Sequence, residues 1–290
     1  MKEVPNSFSL LQKDQKNVSI ESFNDFVSKI KFNYSVSYKI TFYIILIVED
    51  GEGVYAIDFT QTSIKPGDIL LLSPGQVFTC NEKSSIKGKV IYFDEDFFNM
   101  YCDQEFFKGN FDLMQSLSNQ LKINIGVESN VNLHHLLTLF ELECSRNLND
   151  LNTVTILQHL LSSLLYLIDR ENSNTRVRDV IRPESKLAIQ FKLAIQREIS
   201  IKNNVEYFID KLNTTKSALL KSTKITFEKT PKHMIEDVIL LEAKRLLKVS
   251  DLRVQEISYQ LGFTDPTNFT KFFKKNYGDT PENFRKKNHL

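Results

Sequence analysis

Lysine and arginine side chains are the groups most able to do chemistry in this 290-residue chain, and they are unevenly distributed. Residues 182–290 carry 21 Lys and Arg against 13 Asp and Glu, a net charge of +8, whereas residues 1–181 carry a net charge of −7. Clustered cationic groups attract a polyanion such as nucleic acid. Charge alone does not separate this interpretation from a solvated lysine-rich surface, so the decision depends on the pattern of helices.

Metal-binding and catalytic residues are sparse. The five histidines all lie outside the predicted β region, and the adjacent His134 and His135 point in different directions on a helix. Cys80, Cys102 and Cys144 have no paired spacing, which is typical of thiols in a reducing cytosol. The sequence contains no phosphate-binding glycine loop, nucleophile elbow or paired-carboxylate motif. We therefore expect no catalysis, no metal and no cofactor.

An internal repeat occupies the last hundred residues, and residues 205–231 match residues 254–281. Asn213 aligns with Gly262 at an offset of 49, whereas Lys221 aligns with Lys271 and Thr230-Pro231 with Thr280-Pro281 at an offset of 50. The second copy therefore has one extra residue, in the turn or early in the second helix. A repeat of this length indicates one supersecondary unit used twice.

Each copy is predicted to fold as a helix, a tight turn and a second helix. In the second copy, Gly262 ends the first helix, Asp265 or Thr264 caps the second, and Gly278 ends it. In the first copy, Asn213 replaces the glycine, because asparagine is the next most tolerant residue of the left-handed conformation. A further helix over residues 231–249 would form a rod of roughly 28 Å, close to the helical repeat of DNA of about 34 Å.

The first part of the chain is predicted to be β structure. Strands are expected near residues 18–23, 41–49, 53–60, 68–73 and 86–94, separated by turn signals that include two Pro-Gly pairs. The apolar run 42–48 is too short to span a membrane and reads as a buried strand. A small antiparallel barrel or sandwich followed by helices over residues 96–169 is the expected arrangement.

The second copy of the repeat resembles the signature of AraC/XylS-type transcriptional regulators. The matching segments are Gly262-Phe263-Thr264-Asp265, Asn268-Phe269-Thr270-Lys271-Phe272-Phe273-Lys274-Lys275, Gly278-Asp279-Thr280-Pro281 and Phe284-Arg285. The resemblance covers about residues 187–288 and implies a seven-helix domain with two helix-turn-helix units joined by a long helix. The preceding residues resemble the cupin-like regulatory domain of that family only loosely.

The resemblance also implies which side chains face DNA. The base-contacting candidates are Ser217, Leu220 and Lys221 in the first copy and Thr267, Asn268 and Lys271 in the second. The phosphate-contacting candidates are Lys216, Lys224, Thr230, Lys274, Lys275, Thr280 and Arg285. In the first copy, Thr223 stands where the family usually has a large aromatic residue and Glu228 where it has a glycine, which leaves base reading by this copy open. Leu220 would touch a thymine methyl group or contribute little.

Two further sites are predicted in the N-terminal region. Apolar and tyrosine side chains that alternate along the strands would line an effector pocket or form a packed core: Tyr43, Ile45, Tyr55, Ile57, Phe59, Phe78, Val90 and Tyr92. A leucine-rich stripe over residues 154–168 would pack on the barrel or form a homodimer seam through Leu157, Leu161, Leu164 and Ile168.

Together these patterns predict an α+β chain with three parts. Residues 1–168 would form a cupin-like β-barrel with a helical dimerisation segment, residues 169–185 a linker, and residues 186–290 an all-α domain with two helix-turn-helix units. The expected protein is a cytoplasmic transcriptional regulator that binds double-stranded DNA, with a small-molecule effector, a second copy and RNA polymerase as candidate partners and no membrane partner. The alternatives are a cupin-type metalloenzyme with a helical appendage and a protein-interaction module that binds no DNA.

Overall fold

The computed structural model describes residues 17–29, 36–80, 85–99, 104–118, 120–125, 127–175, 183–198 and 204–288. The chain divides into two compact units, with the division between residues 177 and 178.

The N-terminal unit contains two antiparallel sheets. Their strands are β1 (Val18–Ser22), β2 (Ser37–Lys39), β3 (Tyr43–Asp50), β4 (Gly53–Ile57), β5 (Thr60–Ile64), β6 (Asp68–Leu72), β7 (Val77–Cys80), β8 (Lys87–Phe93) and β9 (Ile123–Asn124). One sheet has the order β1-β8-β3-β6-β9 and the other has the order β2-β7-β4-β5. The predicted antiparallel β domain is therefore confirmed.

Strand β3 is apolar from Tyr43 to Val48, where both faces of the larger sheet are buried, and it ends in the exposed Glu49 and Asp50. Ile44 and Leu46 point into the space between the two sheets, where they pack with β2, β4 and β7. Tyr43, Ile45 and Ile47 point to the opposite face and pack under helices. A strand with two buried faces loses the alternation of apolar and polar residues that normally identifies the inner one.

The hairpin between β4 and β5 explains one error in the strand boundaries. Asp58 and Phe59 both have positive φ, 48° and 72°, as in the tight turns that suit two-residue hairpins. The predicted strand 53–60 ran through this turn, because neither residue is a glycine and the turn-favouring Asp58 is followed by an aromatic residue typical of strands. The polar edge strand β5 and the short strands β2, β7 and β9 were missed.

Helices cover the outer face of the larger sheet. They are α2 (Glu95–Asn99), α3 (Gln104–Ser118), α4 (Val127–Cys144) and α5 (Leu151–Thr175), while α1 (Phe23–Lys29) packs its Phe23 and Phe26 against the space between the sheets. By length and composition alone, residues Leu151–Asn172 would be long enough to cross a membrane. In this fold that segment belongs to α5, whose apolar face is buried on the sheet.

The predicted linker, residues 169–185, is longer than the gap between the helices around it. Helix α5 continues to Thr175, seven residues past the expected domain end at residue 168, and α6 begins at Pro183. The charged residues Asp169, Arg170 and Glu171 extend α5 rather than end it, because such side chains are compatible with a solvent-facing helix. Residues 176–182 lie outside the described part of the chain.

The C-terminal unit is helical throughout its described residues. Its helices are α6 (Pro183–Glu198), α7 (Val205–Lys211), α8 (Lys216–Phe227), α9 (Pro231–Val249), α10 (Val254–Gln260), α11 (Pro266–Tyr277) and α12 (Pro281–Asn288). Helices α7 and α8 form the first helix-turn-helix unit and α10 and α11 form the second. The rod predicted over residues 231–249 is α9, with the predicted bounds.

Candidate nucleic-acid interface

The second helix of each unit, α8 or α11, is called the recognition helix below. In α8, Leu219 and Thr223 are buried, whereas Ser217, Leu220 and Lys221 are exposed. Leu220 and Lys221 lie three and four residues after Ser217, so the three side chains form one stripe along the helix. The structure therefore brings the predicted base-contacting residues of the first unit together on an open face.

Helix α11 has the same organisation. Phe269 and Phe273 are buried, whereas Thr267, Asn268 and Lys271 are exposed. An asparagine amide has the geometry to pair bidentately with adenine, and a lysine ammonium donates to guanine acceptors in the major groove. The exposed face of the second unit thus offers several hydrogen-bonding groups to base edges.

The turns that position the two recognition helices share their backbone hydrogen bonds. The amide of Thr214 donates to the carbonyl of Ile209 at 3.1 Å, and that of Phe263 donates to Ser258 at 3.1 Å. Asn213 (φ 47°) and Gly262 (φ 82°) provide the left-handed residue in the respective turns. The caps follow at Thr215 and Asp265, so the extra residue of the second copy lies in the turn.

Helix α9 connects the units, and one core includes side chains from both. Ile235 and Ile239 of α9 belong to a buried cluster with α6, α7 and α8, and Phe263 and Phe272 of the second unit pack against the same cluster. A shared, close-packed core resists relative movement of the parts that form it. The spacing of the two recognition helices is therefore fixed by packing as well as by the length of α9.

The predicted phosphate-contacting lysines, Lys216, Lys224, Lys274 and Lys275, are exposed. Lys216 lies 3.9 Å from Glu206, but both side chains are largely solvated, so the attraction is weak. The hydroxyls of Thr230 and Thr280 accept hydrogen bonds from the amides of His233 and Asn283, as helix caps do. Phosphate contacts at these two helix starts would therefore involve backbone amides more than the hydroxyls.

Arg285 is not placed as a phosphate ligand would be. Its Nε donates to the carbonyl oxygen of Leu247 at 3.4 Å, and its Nη2 is buried with no hydrogen-bond partner. Burial lowers the pKa of this guanidinium from its usual value. We correct the prediction: in this conformation Arg285 ties α12 to the end of α9, because the helix packing turns its side chain inward.

Asp279, the residue before the cap Thr280, anchors the start of α12. Its carboxylate accepts hydrogen bonds from Lys287 at 2.9 Å, from the side chain of Asn283 at 2.8 Å and from the amide of Thr280 at 2.7 Å. These bonds, with that from Lys287 the strongest, lower the pKa of Asp279 to about 2. The start of α12 is thus fixed by charge-assisted hydrogen bonds.

Sequence reasoning missed one exposed position of the first unit. The recognition helices begin at Lys216 and Pro266, so Ala218 is the counterpart of Asn268 and is exposed like it. The resemblance had instead assigned a base contact to Leu220, whose counterpart in α11 is Thr270. Applying the offset of 50 throughout the helix would have identified Ala218.

The predicted effector pocket mixes residues from two faces of the sheet. Tyr55, Ile57, Phe78, Val90 and Tyr92 do lie between the sheets. Their side chains leave little space, because the cavity found there measures only about 20 Å³, roughly the room of one water molecule. It lies beneath α1 and is lined by Phe23, Phe26, Val27, Ile44, Leu46, Leu72, Phe78 and Val90.

Tyr43, Ile45 and Phe59 are not part of that space, and the prediction is wrong for them. Tyr43 and Ile45 face the helices. Since β3 is apolar on both sides, the alternation along the strand did not show which of its residues point between the sheets. Phe59 lies in the β4–β5 turn. At the edge of the inner space, Lys29 donates to the hydroxyl of Tyr92 at 3.1 Å, and burial raises the pKa of that hydroxyl.

The predicted dimer seam is occupied within the unit. Leu157, Leu161, Leu164 and Ile168 are at most 2% exposed and pack in the core formed by the larger sheet with α3, α4 and α5. The stripe was identified correctly as a buried face, but its partner is the protein's own sheet. These four residues therefore do not form a surface for a second copy.

In the described part of the chain, no three His, Cys, Asp or Glu side chains are close enough together to hold a metal ion. His134, His135 and His159 are exposed on α4 and α5, and His233 is exposed at the start of α9.

Comparison with known proteins gives the same two-part organisation. A family model described as "AraC-like ligand binding domain" matches residues 38–161, and one described as "Helix-turn-helix domain" matches residues 209–287. The duplicated helix-turn-helix unit and the β domain before it define the AraC/XylS class of transcriptional regulators, whose members are generally not enzymes. This chain belongs to that family.

The three proteins described next share at most 28% sequence identity with this chain. "Histidine kinase P4" of Formosa agariphila is 28% identical over 102 residues, which cover 35% of this chain and 7% of that protein. "HTH-type transcriptional regulator MtrA" of Neisseria gonorrhoeae is 26% identical over 196 residues, 65% of this chain and 62% of that protein. The match thus spans less than two thirds of either relative. A crystal structure of ToxT from Vibrio cholerae O395 has 15% identity and a TM-score of 0.41, covering 93% of this chain and 97% of that one.

Proposed function

We propose that this protein is a cytoplasmic, sequence-specific DNA-binding transcriptional regulator whose N-terminal unit controls binding by an effector, by dimerisation or by both. The main support is the geometry of the C-terminal unit. Ser217 and Lys221 on α8 match Thr267 and Lys271 on α11, and all four are exposed on helices that share one core. Two such helices suit successive major grooves on one side of a duplex.

Selection of bound fragments from random duplex DNA tests the proposal. We expect one sequence with two half-sites to be enriched, and its affinity to fall steeply between about 50 and 200 mM salt because several phosphates are contacted. The variant Lys221→Ala/Lys271→Ala should lose this preference. Lys87→Ala is the charge control, because Lys87 is an exposed lysine of the N-terminal unit. Failure to enrich any sequence would contradict the proposal and favour a protein-interaction module.

Effector control would act through the space between the sheets. A ligand larger than water would have to displace α1, because Phe23 and Phe26 of this helix line the cavity. We expect a binding metabolite to raise the melting temperature of the wild type and to alter its affinity for the selected DNA. The variant Val90→Phe, which fills the cavity, should bind that metabolite more weakly. An equal response of both proteins would contradict this site.

Dimerisation would use the outer faces of α4 and α5. Val131, Leu139 and Leu142 of α4 and Ile156 and Tyr166 of α5 are exposed apolar side chains. A groove of about 430 Å³ includes Tyr166 in its lining, together with Leu136 and Leu167. An apolar surface of this kind is typical of a contact with another protein surface.

Light scattering tests the dimer surface. Leu142→Glu should give monomers, whereas Gln61→Glu, which adds the same charge on an exposed polar residue of strand β5, should leave the dimer intact. A Leu142→Glu protein that is still dimeric would exclude this surface. RNA polymerase is the remaining proposed partner, and transcription in vitro from a template with the selected site would reveal activation, repression or neither.

A further inference from the structure

The two recognition helices differ in the chemistry of their exposed faces. Aligned at their starts, Lys216 and Pro266, three exposed positions keep their character: Ser217 with Thr267, Lys221 with Lys271 and Lys224 with Lys274. Three others change from polar to apolar. The exposed Ala218, Leu220 and Ile225 of α8 stand where α11 has the exposed Asn268, the half-buried Thr270, whose hydroxyl donates to the carbonyl of Pro266, and the exposed Lys275.

Leu220 is the most informative of the three apolar residues. Its side chain is 38% exposed and lies within the stripe that Ser217 and Lys221 form. It belongs to the first half of α8, and the N-terminal part of a recognition helix is the part that reaches base edges. Ile225 is 47% exposed but lies in the last turn, where it would face the rim of a groove.

A single exposed leucine is ordinary on a protein surface, so the residues around Leu220 must indicate what kind of partner it contacts. Leu220 is flanked by the lysines 216, 221 and 224, and this positive charge favours a polyanion over an apolar protein surface. In the major groove, the apolar group available to such a side chain is the C5 methyl of thymine.

We propose that the first helix-turn-helix unit reads thymine methyl groups through Leu220, with Ala218 beside it, whereas the second unit reads hydrogen-bonding edges. The inference rests on the proposed function, because it concerns the same DNA-binding face. It assigns sequence specificity to the unit that departs from the family pattern. It also predicts that thymine is required at the base pairs that α8 contacts.

Replacing thymine by deoxyuridine tests this assignment, because uracil keeps the hydrogen-bonding edge of thymine and lacks only the methyl group. Each thymine of the selected site is replaced in turn, and affinity for the full-length protein is measured by titration. At one or two positions of one half-site we expect affinity to fall about fourfold, the value for losing one buried methyl group. Replacing such a T·A pair by a 5-methylcytosine·G pair should bind better than the unmethylated C·G pair.

Three variants assign the effect to a side chain. Leu220→Ala should bind the thymine and uracil sites equally, which abolishes the discrimination. Ile225→Ala removes a comparable exposed side chain of the same helix and should retain the fourfold difference. Selection with Lys271→Ala identifies the half-site of the second unit by its relaxed preference, so the uracil-sensitive positions should fall in the other half-site.

The outcomes separate this inference from the proposed function. An enriched site with no uracil-sensitive position would overturn the assignment to Leu220 and leave the proposed function intact. So would a site at which Leu220→Ala still discriminates thymine from uracil as the wild type does. Unchanged DNA binding by Leu220→Ala with altered transcription would also overturn it and assign the leucine to a protein contact. If no DNA sequence is enriched at all, the proposed function fails, and the inference fails with it.

Discussion

The two helix-turn-helix units have the same backbone pattern but reach it with different residues. The second unit has Gly262 in its turn and Gly278 at the end of α11, whereas the first has Asn213 and Glu228 in the corresponding left-handed conformations. Left-handed backbone costs a residue with a Cβ atom about 1–2 kcal/mol, less for asparagine. The second unit is therefore the better specified by its local sequence.

The buried cores of the two units also differ, and the second unit again has the stronger local features. Phe273 of α11 packs with Phe269, Tyr277 and Phe284, at ring-centroid distances between 5.4 and 6.0 Å. The first unit has buried Ser222 and Thr223 at the equivalent end of α8 and depends on α6, whose Phe191 meets Phe208 edge-on at 5.6 Å. The comparison indicates that aromatic rings of α11 and α12 close the core of the second unit, while the first unit takes its aromatic contact from α6.

The largest effect should come from the aromatic core of the second unit. Phe273→Ala should destabilise the C-terminal unit by about 3–5 kcal/mol because it removes a fully buried ring. Urea unfolding measures the loss, and hydrogen exchange should locate it in α10, α11 and α12. Thr223→Ala, at the matched position, should cost much less. Equal costs would contradict the asymmetry of the cores.

The next effect concerns DNA affinity. Lys271→Ala should weaken binding to the selected site by about 1–3 kcal/mol and relax its sequence preference. The matched variant Lys221→Ala should weaken binding with less change of preference, since the first unit has fewer hydrogen-bonding groups beside this lysine. Titrations on the selected and single-base variant sites measure both. If Lys221→Ala relaxed the preference more than Lys271→Ala, the proposed division between the units would be wrong.

The helices of the repeat could be predicted closely from sequence because their ends are set by local residues. Thr-Pro at residues 230–231 and 280–281 caps and starts α9 and α12, and Gly262 and Gly278 end α10 and α11. Each signal acts within a few residues of its own backbone. The exposed faces of α8 and α11 followed from the same pattern, because buried residues recur with the helical period.

The errors in the N-terminal unit have a different cause. The stripe through Leu161 correctly indicated a buried face on α5, but periodicity does not say whether the covering surface is a sheet of the same chain or a second copy. Similarly, nothing local distinguishes the two faces of β3, since Tyr43 and Ile44 are both buried. These features depend on tertiary packing, as does the inward turn of Arg285.

A smaller effect is expected at the ends of the recognition helices. A Cβ atom at Gly278 would meet no atom within 4 Å, so Gly278→Ala tests the backbone alone and should cost about 1–2 kcal/mol. Glu228→Gly should stabilise the protein by up to about 1 kcal/mol, since relief of the left-handed backbone exceeds the entropy that glycine adds to the unfolded chain. Thermal unfolding of both variants measures whether each substitution stabilises or destabilises the protein. A destabilised Glu228→Gly protein would show that Glu228 has a compensating role.

The smallest effect should be at the turn of the first unit. Asn213 has φ 47°, and its amide donates to the carbonyl of Asp210 at 3.1 Å, as the amide of Gly262 does to Tyr259. Asparagine tolerates this conformation better than other residues with a Cβ atom, so Asn213→Gly should change stability by only a few tenths of a kcal/mol. Asn213→Ala, which retains the Cβ atom and loses that tolerance, should destabilise by about 1 kcal/mol. Equal stability of the glycine and alanine variants would mean that this turn is not held in the left-handed conformation, and the matched turn geometry of the two units would no longer stand.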